Sequence, residues 1–83
     1  MKNKILVELY IVETDDLYNI SIPVNEYIGK IVKYIVSSAF ELSDVEPSKS
    51  QYNLIDPESG EVYDNSILVR NSNIKNAKKV YLI

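Results

Sequence analysis

The 83-residue sequence contains no cysteine and no histidine. Without cysteine the chain has no disulfide, no thiol nucleophile and no thiolate ligand for a metal. Without histidine it lacks the commonest general base at neutral pH and the imidazole ligands of zinc. Catalytic Ser-His and Cys-His pairs are therefore excluded. An enzyme would have to work with carboxylates, Lys, Tyr or Ser alone, and we expect neither a metal nor a cofactor.

Positive charge is also scarce. Nine Lys and Arg residues stand against twelve Asp and Glu, which gives a formal net charge of −3. This balance disfavours nucleic acid as a partner and disfavours a polybasic membrane contact. The opening "MKNKILVELYIV" has lysines before an apolar run, as a signal peptide does, but Glu8 interrupts the run and no small-residue cleavage site follows. We expect a cytoplasmic protein without direct membrane insertion.

Most carboxylates fall in two predicted turns. Glu13, Asp15 and Asp16 occupy the first, while Asp56, Glu58, Glu61 and Asp64 surround the second. Their spacing does not match the twelve-residue calcium loop, in which ligands alternate around a glycine. We expect solvated turn carboxylates.

The first half of the chain changes its apolar period once. Alternation over residues 4–12 and again over 17–22 predicts two strands joined by an acidic turn. From Asn25 the apolar spacing becomes three and four, which predicts an amphipathic helix capped by Asn25. Gly29 weakens that helix, so we expect a close approach of another backbone there. The predicted inward positions are Ile5, Val7, Leu9, Ile11, Tyr18, Ile20 and Ile22 on the strands and Ile28, Ile31, Val32, Ile35, Ala39 and Leu42 on the helix, with Tyr27 and Tyr34 flanking the helix stripe and packed on the sheet edge.

The second half of the sequence predicts shorter secondary-structure elements. "DPESG" places Pro57 and Gly60 for a tight turn, so residues 51–55 and 61–63 are predicted to form a second hairpin. Residues 65–79 show no sustained period and predict a short helical turn within a loop. At the end, Val80 and Leu82 alternate with Tyr81 and Ile83, which predicts a last strand.

This order of elements resembles the β-grasp of ubiquitin-like proteins. "ISIPVNEYIGKIVKYI" is similar to the strand-to-helix passage of ubiquitin, and Ile74 stands six residues before Val80 as in ubiquitin's approach to its last strand. The resemblance implies one α+β domain over residues 1–83, with a mixed four- to five-stranded sheet packed on one α-helix. It also places the last strand between the first and the third.

The resemblance carries a functional expectation as well. Ubiquitin and its sulfur-carrier relatives act through a terminal Gly-Gly, whereas this sequence ends at Ile83, so we expect a protein that is not conjugated. It is similar instead to the YukD/EsaB-like accessory proteins of bacterial type VII secretion. That implies a non-enzymatic interaction module, accessory or regulatory, which binds a larger protein such as a membrane component of the secretion system. The alternatives are a small effector subunit of a larger enzyme complex, such as a multicomponent monooxygenase, and a truncated modifier or sulfur carrier.

In a β-grasp the sheet face opposite the helix is a usual docking surface, and we refer to it as the outer face. The predicted alternation places apolar and aromatic residues there, as a protein interface requires. Asn53 stands where ubiquitin has a key apolar residue, so the partners of ubiquitin are not expected to transfer. The predicted protein-binding residues are Tyr81, Ile83, Asn53, Tyr10 and Leu6. The oligomeric state stays open.

Overall fold

The computed structural model describes residues 3–83. Its regular elements are β1 Lys4–Ile11, β2 Asp16–Pro23, α1 Ile28–Leu42, β3 Leu54–Ile55, a 3₁₀ turn Val69–Asn71 and β4 Lys79–Leu82. The strand order in the sheet is β2-β1-β4-β3. β4 runs parallel to β1, and the other pairs are antiparallel. The predicted α+β architecture with a mixed sheet is confirmed, with the last strand between the first and the third.

The core lies between one face of the sheet and α1. Alternate residues of β1 and β4 are buried, as a half-buried strand requires. The helix contributes its stripe at spacings of three and four. Among the described residues 3–83, no helix is long and apolar enough to cross a membrane. The most deeply buried side chains are Phe40, Leu9, Ile11, Ile28, Leu54, Ile74, Leu82, Val7, Val69 and Val80.

The start of α1 is capped by distant backbone rather than by a side chain. Tyr27 occupies the cap position without a side-chain hydrogen bond, so the prediction that Asn25 caps the helix is wrong. The Ile28 N–H donates to the Ile67 carbonyl at 3.0 Å, and the Gly29 N–H donates to the Asn65 carbonyl at 3.0 Å. Helix-start N–H groups need acceptors from outside the helix, and these two carbonyls supply them. Asn25 instead accepts a hydrogen bond from the Arg70 guanidinium.

Gly29 sits where the chain crosses the helix. A Cβ at this position would lie 3.1 Å from the Asn65 carbonyl oxygen and 3.1 Å from the Asn65 Cβ. The expected close approach of another backbone is therefore confirmed. Glycine allows the 65–67 segment to reach the helix N–H groups.

Three apolar side chains of α1 differ from the sequence prediction. Leu42, predicted on the buried stripe, is 78% exposed, and Tyr34, predicted to pack on the sheet edge, is 63% exposed. Both line an open groove between α1 and β2. Phe40 was not predicted inside, yet it is buried, because its ring meets Tyr52 edge-on with centroids 5.3 Å apart. Tyr27 also remains 53% exposed.

The predicted second hairpin forms only in part. The Gly60 N–H donates to the Asp56 carbonyl at 2.7 Å, and Gly60 has a φ of +77°, so the turn itself is present. Beyond it, β3 has two residues, and a single bridge joins Ile55 to Val62. The described residues therefore form a four-stranded sheet, without a separate strand over 61–63.

Ile35 and Leu42 provide a test of the helix packing. Ile35→Ala should lower the free energy of unfolding by about 2 to 5 kcal/mol, because the Ile35 side chain fills the core. Leu42→Ala, on the same helical stripe but exposed, should cost less than about 0.5 kcal/mol. Urea titrations followed by circular dichroism measure both values. Equal losses for the two variants would contradict the packing of α1 described above.

Candidate functional site

An apolar row crosses the whole outer face of the sheet. The strand register places Leu17 opposite Tyr10, Tyr10 opposite Tyr81, and Tyr81 opposite Ile55. An isolated bridge then joins Ile55 to Val62. Directly paired residues of neighbouring strands project to the same face. We call Leu17, Tyr10, Tyr81, Ile55 and Val62 the outer row.

The centre of the outer row is ordered by aromatic packing. The Tyr10 and Tyr81 rings meet edge-on, with centroids 5.1 Å apart and planes at 63°. The Tyr10 hydroxyl donates a hydrogen bond to the Asp15 carboxylate. That bond is the main reason that the pKa of Tyr10 is raised above its ordinary value. Both rings thus keep defined positions on an accessible surface, which lowers the entropy cost of binding.

A second line of residues lies beside the outer row. Asn53 and Ile83 exchange two backbone hydrogen bonds, of 3.0 and 2.9 Å. The Val12 N–H donates to Leu82, so the β1–β4 ladder continues and brings Val12 beside Ile83. The Asn53 side chain accepts a hydrogen bond from the Asn65 amide at 3.3 Å. The structure therefore places Tyr10, Tyr81, Ile83 and Asn53, four of the five predicted binding residues, side by side on the outer face.

Leu6 lies on the same face but apart from the others. It is 50% exposed and stands four residues before Tyr10 on β1. Between these two residues the register pairs Glu8 with Lys79. The charged pair separates Leu6 from the apolar surface around Tyr10.

Sequence reasoning missed three members of the outer row. Leu17 is 69% exposed and Val62 is 56% exposed, while Ile55 is half-buried opposite Tyr81. The alternation of inward and outward residues along a strand could have placed Leu17 and Ile55 on the outer face, because each lies next to an inward residue of its own strand. Their meeting with Tyr10 and Tyr81 depends on the pairing of strands distant in sequence.

The carboxylates of the turns are not all solvated. Asp56 is only 4% exposed, and it accepts hydrogen bonds from the Asn73 amide at 3.0 Å and the Glu58 N–H at 2.9 Å. The Lys78 ammonium also lies 3.0 Å from it and 3.3 Å from Glu58. The bonds from Asn73 and Lys78 lower the pKa of Asp56 to about 2. The prediction of a solvated carboxylate is wrong for Asp56, which anchors its turn to the segment before β4.

Glu13 has a similar anchoring position. Its carboxylate accepts hydrogen bonds from the Tyr52 hydroxyl at 2.7 Å and from the Ser48 N–H at 3.2 Å. The bond from Tyr52 is the chief cause of the lowered pKa of Glu13. Within residues 3–83, no three Asp or Glu side chains converge in a way that could hold a metal ion. The acidic turns therefore offer anchoring contacts, and the outer row is the candidate functional site.

Neither a family model nor a characterised protein sequence matches the chain. Solved structures match in shape. The EccD5 ubiquitin-like domain from Mycobacterium xenopi is 10% identical with a TM-score of 0.72, over 99% of this chain and 94% of that one. A chain of the MycP5-free ESX-5 inner membrane complex is 10% identical with a TM-score of 0.74, over 99% of this chain and 21% of that one.

A third match comes from an enzyme complex. A chain of the toluene 4-monooxygenase HD complex with the inhibitor 4-bromobenzoate is 9% identical, with a TM-score of 0.81, over 95% of each chain. At such low identity these likenesses establish the fold. The chain has the ubiquitin-like β-grasp fold, and its neighbours in shape include a domain related to type VII secretion, as the sequence resemblance predicted.

The Asp56 cluster predicts a pH-dependent stability. The folded-state pKa of Asp56, about 2, lies below the ordinary value of 3.8. A lowered carboxyl pKa stabilises the fold fully above about pH 4, and the contribution is lost as the pH falls toward 2. Asp56→Asn should therefore lower the urea midpoint at pH 6, and its difference from wild type should shrink between pH 4 and pH 2.

Glu58→Gln is the matched control, because Glu58 contacts the same lysine but its side chain is 84% exposed. We expect a smaller change in midpoint for Glu58→Gln than for Asp56→Asn at pH 6. A constant difference between wild type and Asp56→Asn from pH 6 to pH 2 would show that the Asp56 charge does not stabilise the fold.

Proposed function

We propose that the chain is a non-enzymatic ubiquitin-like interaction module that binds a larger protein through its outer row. In this proposal residues 1–83 act as one domain, in the cytoplasm of a bacterium, as an accessory or regulatory component of a type VII secretion system. Ile83, Asn53 and Val12 extend the binding surface on one side.

The single observation that carries this proposal is the continuity of the outer row. Five apolar or aromatic side chains follow one another across all four strands and onto residue 62. Scattered exposed apolar residues are ordinary on protein surfaces, but a contiguous patch indicates an interaction site. Tyrosine is enriched at the centres of such interfaces, and Tyr10 and Tyr81 lie at the centre of this one.

The secretion assignment is supported by two of the likenesses in shape. One is to the EccD5 ubiquitin-like domain, and the other is to a chain of an ESX-5 inner membrane complex. We infer that the partner is a membrane component of a related secretion system. A protein that meets a larger assembly through one sheet face needs no catalytic group, in agreement with a sequence that has neither histidine nor cysteine.

A second candidate function is that of a small effector subunit of a multicomponent monooxygenase. It is favoured by the likeness to a chain of the toluene 4-monooxygenase complex, which covers 95% of both chains. The outer row could serve either role, so the identity of the partner decides between them. Neighbouring genes for membrane components of a secretion system favour the first candidate, whereas neighbouring genes for oxygenase subunits favour the second.

A third candidate, a modifier or sulfur carrier, is distinguished by the end of the native protein. The intact mass of the protein purified from its own cell shows whether residues follow Ile83. A tail ending in Gly-Gly would favour the modifier or sulfur carrier over the interaction module.

The docking surface can be tested with one pair of variants. Ile55→Asp places a charge in the outer row opposite Tyr81, and it should weaken partner binding at least tenfold, about 1.4 kcal/mol. Leu6→Asp is the matched control on the same face, beyond the Glu8 and Lys79 pair, and it should bind within about twofold of wild type. Affinity for the captured partner is measured by titration calorimetry, after circular dichroism has shown that both variants fold.

Tyr81→Ala should weaken binding as well, because Tyr81 lies at the centre of the row. Retention of full affinity by both Ile55→Asp and Tyr81→Ala would rule out the outer row as the docking surface.

A further inference from the structure

Among the described residues 3–83, the edge of the sheet at β2 is long and lacks most of the usual protection against pairing. β2 has eight residues and stands at one end of the strand order. Native proteins usually protect such edges with lysine, a bulge, proline within the strand or a covering segment. The central part of β2, residues 17–22, contains none of the first three. The opposite edge, β3, has only two residues and is bridged to Val62.

The hydrogen-bond pattern identifies which groups of β2 point outward. The N–H groups of Glu8 and Val12 donate to Lys78 and Leu82, so even-numbered residues of β1 face β4. Odd-numbered residues of β1 therefore face β2, and the register pairs them with even-numbered residues of β2. The backbone groups of Leu17, Asn19 and Ser21 consequently point to the open edge.

We propose that this edge pairs with β2 of a second copy of the chain, antiparallel, about a two-fold axis at Asn19. In this register Asn19 faces Asn19 of the second copy. Leu17 of each copy faces Ser21 of the other. The backbone N–H and C=O groups that point to the open edge, those of Leu17, Asn19 and Ser21, then all form hydrogen bonds with the second copy. If one β2 strand is shifted along the other by two residues in either direction, some of these backbone groups lose their partners or face Pro23, which has no N–H to donate.

The side chains also match across this axis. On the helix side of the sheet, Tyr18 of each copy lies opposite Ile20 of the other, a favourable aromatic and β-branched pair. At the ends of the strand, Asp16 lies opposite Ile22 of the second copy and keeps the hydrogen bond that its carboxylate accepts from Ser43 of its own copy.

The open groove beside β2 favours the same occupant. Tyr34 and Leu42, both more than half exposed, line it together with Tyr18 and Ile20. Among the described residues that line the groove, Lys4 is the one with a charged side chain, and there is no carboxylate. Pairing at β2 brings the two grooves side by side, so the apolar side chains of each copy are covered by those of the other.

The absence of cysteine permits a direct test by disulfide cross-linking. N19C and S21C each introduce a single thiol on the exposed outer side of β2. In the proposed register the two copies of residue 19 have Cα atoms about 5.5 Å apart, within disulfide range. The two copies of residue 21 are separated by four residues along the strands, more than about 13 Å. N19C should therefore form cross-linked dimer at least tenfold faster than S21C under the same mild oxidant.

Wild-type protein provides the second readout. Light scattering should show a mass that rises from the 9.5 kDa monomer toward twice that value as concentration increases. A monomer mass at every concentration, together with equally slow cross-linking of N19C and S21C, would overturn the proposal and leave the edge to a different partner. Faster cross-linking of S21C would overturn the register.

A charge exchange at the axis tests the two-fold symmetry without a covalent bond. N19K and N19E each place like charges opposite each other, which destabilises an antiparallel pair. Each variant alone should be monomeric where wild type is dimeric, and an equal mixture of the two should recover the dimer.

The control is Asn19→Thr, which keeps the backbone N–H of residue 19 and adds no charge, so it should dimerise as wild type does. A mixture that remains monomeric would contradict the proposed axis. These tests address the β2 edge, so their outcome is independent of partner binding at the outer row.

Discussion

The parallel pairing of β4 with β1 is the contact on which the rest of this fold depends. It joins the last strand of the chain to the first, between residues about seventy positions apart. On the inner side of the sheet it brings Val80 beside Leu9 and Leu82 beside Ile11, all four buried. On the outer side it brings Tyr81 against Tyr10. One strand pair therefore supplies the centre of the core and the centre of the candidate docking surface.

A parallel pair needs a long connection, and in this chain the connection is held in place at two points. At the first, the carbonyls of Asn65 and Ile67 accept the opening N–H groups of α1, while the N–H groups of Val69 and Arg70 donate to Glu26 and Val24. At the second, Asp56 binds Asn73 and Lys78 just before β4 begins. These polar contacts order a segment that has little regular structure, and the loss of loop entropy is offset by bonds that satisfy buried backbone groups.

The sequence predicted those features that depend on local periodicity. The alternation of β1 and β4 and most of the helix stripe were correct, since each follows from the residues of one element. The cap at Asn25 was wrong because carbonyls some forty residues away occupy the helix N–H groups. The burial of Phe40 depends on Tyr52 in the following loop. Leu17 and Ile55 were missed for the same reason, since only strand register aligns them with the tyrosines.

The two surfaces of the molecule have compatible geometry. Pairing at β2 would extend the sheet to eight strands, and both outer rows would then lie on one continuous face. Leu17, at the β2 end of each row, would stand next to Ser21 of the second copy, so the two rows would end on opposite sides of the axis. A partner with two binding sites could engage both rows together, and its second contact would form at a high effective concentration. Modest affinity at a single outer row would therefore be sufficient for stable attachment to a symmetric assembly.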